Sequence, residues 1–222
     1  MEDQKQGDWT DAMTLYIASL MVVLFIRSLN GAAMQIGDLR IRAPLILSFQ
    51  WLLLPLPLFF LKRQAEDLRD IGFVRERIPR QIAIGIGIGL FTTFFFSLLP
   101  ALIFGAGAIG SGSKYSKGWQ FVYEFFYYIF GVAMGEEMIF RGFIYHKLKH
   151  NTRSIWKPIL YSSLLFGLFH IFNGISPQII LTMLLGGLWC YSMERIRYCT
   201  TLSVLIAHGL HNFLIQVIYS LL

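Results

Sequence analysis

Two glutamates, Glu136 and Glu137, stand side by side in a run that otherwise reads as lipid-facing helix, Phe130-Gly-Val-Ala-Met-Gly-Glu136-Glu137-Met-Ile-Phe-Arg141-Gly-Phe. A carboxylate is costly at bilayer depth, so it faces a polar cavity there or finds a partner. Neighbours on a helix point about 100° apart, which makes one shared role hard. Glu137 and Arg141 stand at i and i+4 with the acid first, the favourable order for a helical ion pair. That pairing would leave Glu136 free to face a cavity. A purely structural network of the three is the plainer alternative. Further along, Phe166-Gly-Leu-Phe-His170 places a lone histidine on an apolar run, one turn after a phenylalanine. His208 and Asn212 are again i and i+4, so both polar groups face one way on another apolar run. They suit either an interhelical hydrogen-bond clamp or a pair of donors for a developing oxyanion. A buried glutamate beside a histidine can take a proton from water and return it to a leaving amine. Together these residue types suit hydrolysis of an amide by water. His211 lies on a neighbouring face, and His146 and His150 fall in a basic helix end; these three are expected to stand outside the chemistry. Ser162 and Ser163 have no nucleophile elbow around them.

The elements that must position these groups are membrane helices. Apolar runs of spanning length, about 20 residues each, fall near 12–29, 43–61, 81–103, 119–148, 155–172, 177–193 and 200–222. At 1.5 Å per residue, Glu136 lies roughly 18 Å from the end of its run near Leu148. On the same basis His170 lies roughly 22 Å along its run from Ile155, and His208 roughly 12 Å from Thr200. All three heights fall in the middle part of a hydrocarbon core about 30 Å thick. Unrelated polar positions have no reason to match in height, so one shared site is the economical reading.

Composition agrees with a polytopic membrane protein: 55% of the 222 residues are hydrophobic and only 14% are charged. That length is used up by one bundle, with membrane helices of the first 118 residues ahead of motif-bearing helices over 119–222, all in a single integral domain. The expected fold class is therefore all-α, about seven transmembrane helices around a polar chamber. The net charge of +6 lies in short loops between apolar runs, where it reports topology and implies no nucleic acid. With the N-terminus in the cytoplasm, 14 basic residues fall inside and five outside, so that orientation is expected. The polar stretch 62–80 reads as an amphipathic segment on the cytoplasmic face. No cleavable signal is visible, since the N-terminus is acidic. Cys190 and Cys199 have neither disulfide nor zinc-ribbon spacing and are expected to be structural. Gly85-x-Gly-x-Gly89 lacks the strand of a dinucleotide fingerprint; Gly85 and Gly89, four apart, mark close helix packing instead.

Glu136-Glu137-x-x-x-Arg141, Phe166-x-x-x-His170 and His208-x-x-x-Asn212, in that order, resemble the three-motif set of the CPBP family, also called Abi. That family includes the CAAX prenyl endopeptidases and bacterial relatives linked to bacteriocin processing or self-immunity. The resemblance covers roughly 119–222; the earlier residues match only in being spans. It implies a metal-independent glutamate protease working within the membrane, with no cofactor. Carried over, Glu136 and His170 would activate the attacking water, His208 and Asn212 would form the oxyanion hole, and Glu137 and Arg141 would hold the geometry of the first motif's helix. The implied partners are the lipid bilayer and a peptide or membrane-protein substrate, prenylated or not, in a cell membrane that the short, compact chain makes more bacterial in character. Three other readings stay open on the residues alone. One is a zinc-dependent variant, although no His-Glu-x-x-His occurs. Another is a non-catalytic immunity or regulatory protein that binds a peptide in the same chamber. The third, a proton-coupled transporter, is weakened by the lack of an internal repeat.

Overall fold

In a computed structural model the chain is all-α, and no strand occurs among the described residues. These are 2–105, 107, 114–173 and 177–222, with backbone alone described at 2–7 and 173. Helix α1 (Glu2–Ala33) leads into α2 (Leu39–Gln50). Asp38 caps α2, its carboxylate accepting the Arg40 amide at 2.9 Å. A 3-10 turn at Trp51–Leu53 joins α2 to α3 (Pro55–Arg63). The break is local chemistry, because a proline with no N–H suits the first turn of a helix and not its interior. Helix α4 (Ile78–Thr93) continues through a π-helical stretch, Phe94–Leu98, into α5 (Leu99–Phe104).

A long helical run then carries the first motif. It starts as α6 (Gly118–Phe126), passes through π-helical Tyr127–Ala133, and becomes α7 (Met134–Glu137). After a second π-helical stretch, Met138–Ile144, it ends as α8 (Tyr145–His150). Helices α9 (Trp156–Phe169), α10 (Pro177–Arg195) and α11 (Thr201–Leu221) complete the bundle.

This run is the axis of the molecule: Ile139, Phe140, Arg141, Phe143 and Ile144 are all fully buried. Around it Leu15, Leu53, Phe60, Phe166, Trp189 and Val204 form one continuous core with Phe140. The outer surface is the reverse. Phe91, Phe94, Phe95, Leu102 and Phe104 are exposed along one flank, and Leu160, Ile180 and Leu184 along another. Apolar cover of this extent has no place against water; it is the surface of an integral membrane protein. Among the described residues, four helices have the length and composition to cross a membrane: Asp8–Ala33, Leu39–Arg63, Ile78–Phe104 and Thr201–Leu221.

Helices α4 and α11 approach closely where the glycine spacing foretold it. A β-carbon on Gly85 would lie 2.4 Å from the Ser203 carbonyl oxygen, and one on Gly89 would lie 3.0 Å from that of Ala207. Both cysteines are buried and free.

The polar stretch 62–80 is packed against the bundle. Between Arg63 and Ile78 it is a series of turns. It docks inward: Ile71 is buried, and the Thr201 hydroxyl donates to its carbonyl at 2.8 Å. The Gln81 amide nitrogen donates to the carbonyls of Val74 and Glu76 at 3.0 and 2.6 Å. Backbone groups that find partners in the protein have no need to form a helix on a lipid surface.

Candidate active site

The three motif segments meet inside the bundle. Glu136 Oε2 lies 3.8 Å from His170 Nε2 and 3.9 Å from His208 Nε2. Both distances exceed direct hydrogen bonding, and among the described residues this buried oxygen has no hydrogen-bond partner. Glu137 is turned away from that gap. Its Oε1 accepts from Arg141 Nη1 and from His208 Nδ1, each at 2.7 Å. The two neighbouring glutamates thus do different things: Glu137 is bonded on two sides, and Glu136 stands open between two imidazole rings.

The helix that presents them is not a regular α-helix. The single α-helical turn holding Glu136 and Glu137 lies between two π-helical stretches. A π-helical turn holds more residues than an α-helical one and swings side chains around the axis, and such segments are frequent at functional sites.

His170 sits just past the last residue of α9, as its C-cap. Its Nδ1 lies 2.9 Å from the Phe166 carbonyl oxygen. A carbonyl only accepts, so Nδ1 carries the proton and the lone pair of the neutral ring is on Nε2, facing Glu136. This explains the one-turn spacing of Phe166 and His170: the backbone of the first sets the tautomer of the second. The Phe166 ring also packs edge-on to both histidines, with centroids 4.9 Å from His170 and 5.8 Å from His208.

His208 is oriented by a carboxylate instead. Its Nδ1–H donates to Glu137, which leaves Nε2 toward Glu136. Asn212 follows one turn later on α11, half-buried, on the same side of the helix. Arg141 is fully buried, and Glu137 is its one ion-pair partner among the described residues. Its guanidinium lies over the Phe166 ring at 4.1 Å and the Trp189 ring at 5.0 Å. Aromatic faces attract a cation in this way and partly replace lost hydration. Room for the head group comes from Gly186, where a β-carbon would meet Arg141 Nη2 at 3.0 Å.

Trp189 is a wall of the site that motif reading passed over. It is buried, and its ring lies against His208 with centroids 4.7 Å apart and planes 30° apart. The signal available in the sequence was its place: a tryptophan within an apolar run, when membrane tryptophans concentrate at the interfaces.

The remaining histidines stand apart from the Glu136 gap. His211 Nδ1 lies 3.3 Å from the Thr93 hydroxyl, and His146 Nδ1 lies 2.7 Å from the Arg141 carbonyl oxygen. Ser162 donates to the Phe140 carbonyl and Ser163 to that of Ile159. Among the described residues no three His, Cys, Asp or Glu side chains are grouped to hold a metal ion.

No curated protein and no solved structure matches the chain. A family model does: Type II CAAX prenyl endopeptidase Rce1-like matches residues 117–214. All seven motif side chains lie within that stretch, so the part of the chain that carries the site is similar to the CAAX prenyl endopeptidases.

Proposed function

We propose that the chain is a glutamate endopeptidase that needs no metal, and that it cuts a peptide bond near the end of an apolar or prenylated peptide or membrane-protein tail. The observation that carries this reading is the open Glu136 Oε2, 3.8 Å from His170 Nε2 and 3.9 Å from His208 Nε2. A water oxygen placed between Glu136 and His170 would lie within about 3 Å of both groups. Both present lone pairs to it, so both can accept its hydrogens.

In this mechanism the water oxygen attacks the scissile carbonyl carbon while Glu136 takes its proton. The carbonyl oxygen becomes an oxyanion. Asn212 offers it amide N–H groups, and His208 offers Nε2–H when its ring holds both protons. Glu137 supports that state, since its carboxylate accepts Nδ1–H and faces the resulting positive charge. When the C–N bond breaks, the departing amine takes the proton held at Glu136. The new carboxylic acid then loses its own proton and the site is restored. Loss of one oxyanion donor typically costs about 100- to 1,000-fold in rate. An asparagine amide at this point suits hydrogen bonding better than zinc ligation, which favours the metal-free route.

Both halves of the chain serve this site as one integral unit, since Leu53 and Ile71 share a core with Phe140. The basic ends of the helices would face the cytoplasm.

Glu136→Gln keeps the shape of the side chain and removes its basicity. In membranes carrying this variant, cleavage of the peptides processed by wild type should cease, read by comparing membrane peptides between the two. Purified wild type should keep its activity in a strong chelator. Activity lost to the chelator and restored by zinc would overturn the metal-free mechanism. A biological effect that survives Glu136→Gln would show that binding alone is the function.

A further inference from the structure

Away from the site, the seam between α4 and α10 holds a groove of about 380 Å³. Gly87, Ile88 and Phe91 line one side, and Leu188, Tyr191 and Arg195 the other. None of the seven motif residues contributes to it. The groove is open at its floor, because a β-carbon on Gly87 would meet nothing within 4 Å. Its walls are mostly apolar up to Arg195, at the end where α10 stops. There the chemistry changes. Arg195 lies over the Tyr191 ring at 5.5 Å. Arg77, Arg80 and Arg197 surround the Tyr198 ring at 4.7, 5.6 and 4.8 Å.

These four guanidiniums are exposed, and none is among the ion pairs of the described residues. The acids at hand do not neutralise them. Glu194 is committed to Lys149 at 2.6 Å, and among the described residues Glu76 makes no ion pair. The cluster is also held in an unusual backbone. Arg77 and Tyr198 both have left-handed φ, 55° and 68°, which side chains other than glycine rarely adopt. Three like charges gathered on Tyr198, with Arg195 on Tyr191 two turns earlier along the chain, favour an anion that joins them.

We propose that this seam binds one anionic phospholipid, with an acyl chain along the groove and its phosphate among Arg80, Arg195 and Arg197. An apolar slot running along the helices, closed by uncompensated arginines at the membrane surface, matches the two parts of such a lipid. A zwitterionic lipid carries its own cation and gains less from the cluster. Each basic group near an anionic headgroup adds to the preference.

Native mass spectrometry of the purified full chain tests this with dioleoylphosphatidylglycerol and dioleoylphosphatidylcholine as probes. Wild type should hold one phosphatidylglycerol about tenfold or more tighter than phosphatidylcholine. The triple variant R80Q/R195Q/R197Q should bring the two lipids close to parity. Gly87→Leu fills open space and alters no charge; it should weaken phosphatidylglycerol binding with the arginines intact. It also keeps the test decisive if the triple variant fails to fold. R69Q/R75Q removes two other exposed arginines and should leave the preference as it was. Four results would each overturn the proposal. They are equal binding of both lipids by wild type, a control variant that falls as far as the triple, Gly87→Leu that binds as wild type does, and one-for-one displacement of phosphatidylglycerol by a farnesylated peptide. The last would assign the groove to substrate.

Discussion

At the scale of single residues, the site is organised by what each ring nitrogen already holds. His170 gives Nδ1–H to a carbonyl and keeps a lone pair toward Glu136; His208 gives Nδ1–H to a carboxylate. Two histidines at nearly the same distance from Glu136 are therefore suited to different tasks, one to accept a proton and one to share a charge. Trp189 fixes the second of these rings by lying against its face, and we expect it to be a positioning residue. Trp189→Leu leaves His208 free to tilt, and a displacement of about 1 Å can cost on the order of 100-fold. The loss should fall on kcat, with KM little changed, and Trp189→Phe should recover much of it. Equal losses in both variants, tracking loss of folded protein, would show that the ring only fills space. The motif residues were legible in the sequence because charged groups are rare in apolar runs, and the i, i+4 pair of Glu137 and Arg141 followed from helical spacing alone. The double use of Glu137 was not, because its second partner comes from a helix 71 residues away. Trp189 left one signal, a tryptophan placed within an apolar run, which no motif contained.

Among the elements, the helix bearing the two glutamates departs from α geometry on both sides of them, and its neighbours are tightened around it by glycines. Four of the spans could be read from apolar length. Their interruptions could not, apart from those with proline nearby, since a π-helical stretch such as Met138–Ile144 is settled by what packs around it. The docking of the turns between α3 and α4 could not be read for a similar reason: their carbonyls are satisfied by Gln81 and Thr201, side chains of other elements. The α4–α11 contact was the most legible packing feature, and it is open to a direct test. Gly85→Ala would set a methyl group 2.4 Å from the backbone oxygen of Ser203, and backbone cannot rotate away. The two helices must separate, at a cost of about 1–3 kcal/mol for an overpacked contact. Thermal unfolding in detergent should show a lowered midpoint, whereas Gly87→Ala, with nothing within 4 Å, should leave it in place. Because α11 carries His208 and Asn212, Gly85→Ala should also lower activity in the protein that remains folded.

For the molecule as a whole, one end of the bundle is laced by polar ties between helices that are otherwise apolar. Asp11 of α1 meets Arg63 of α3 at 2.7 Å, and Lys147 of α8 meets Glu66 at 2.5 Å. Asn151 donates to Asp8 at 2.9 Å. Glu194, beyond the apolar part of α10, accepts from Lys149 at 2.6 Å and from the Tyr145 hydroxyl. Burial works to raise the pKa of Glu194, but the Lys149 and Tyr145 hydrogen bonds outweigh it and hold the carboxyl below its ordinary range. A carboxyl with a lower pKa in the folded state binds fewer protons folded than unfolded. Its contribution is therefore complete above the ordinary carboxylate pKa and is lost as pH falls through the depressed folded value. For a partly exposed pair the contribution is about 1 kcal/mol at most. The informative quantity is the difference between wild type and Glu194→Gln. Glu194→Gln should melt below wild type near neutral pH, and the gap should close as the pH is taken down through the carboxylate range. A gap that stayed constant with pH would mean that the ionised form of Glu194 adds nothing, and that α10 is held to α8 by packing of Tyr145 against Cys190 and Ile159 alone.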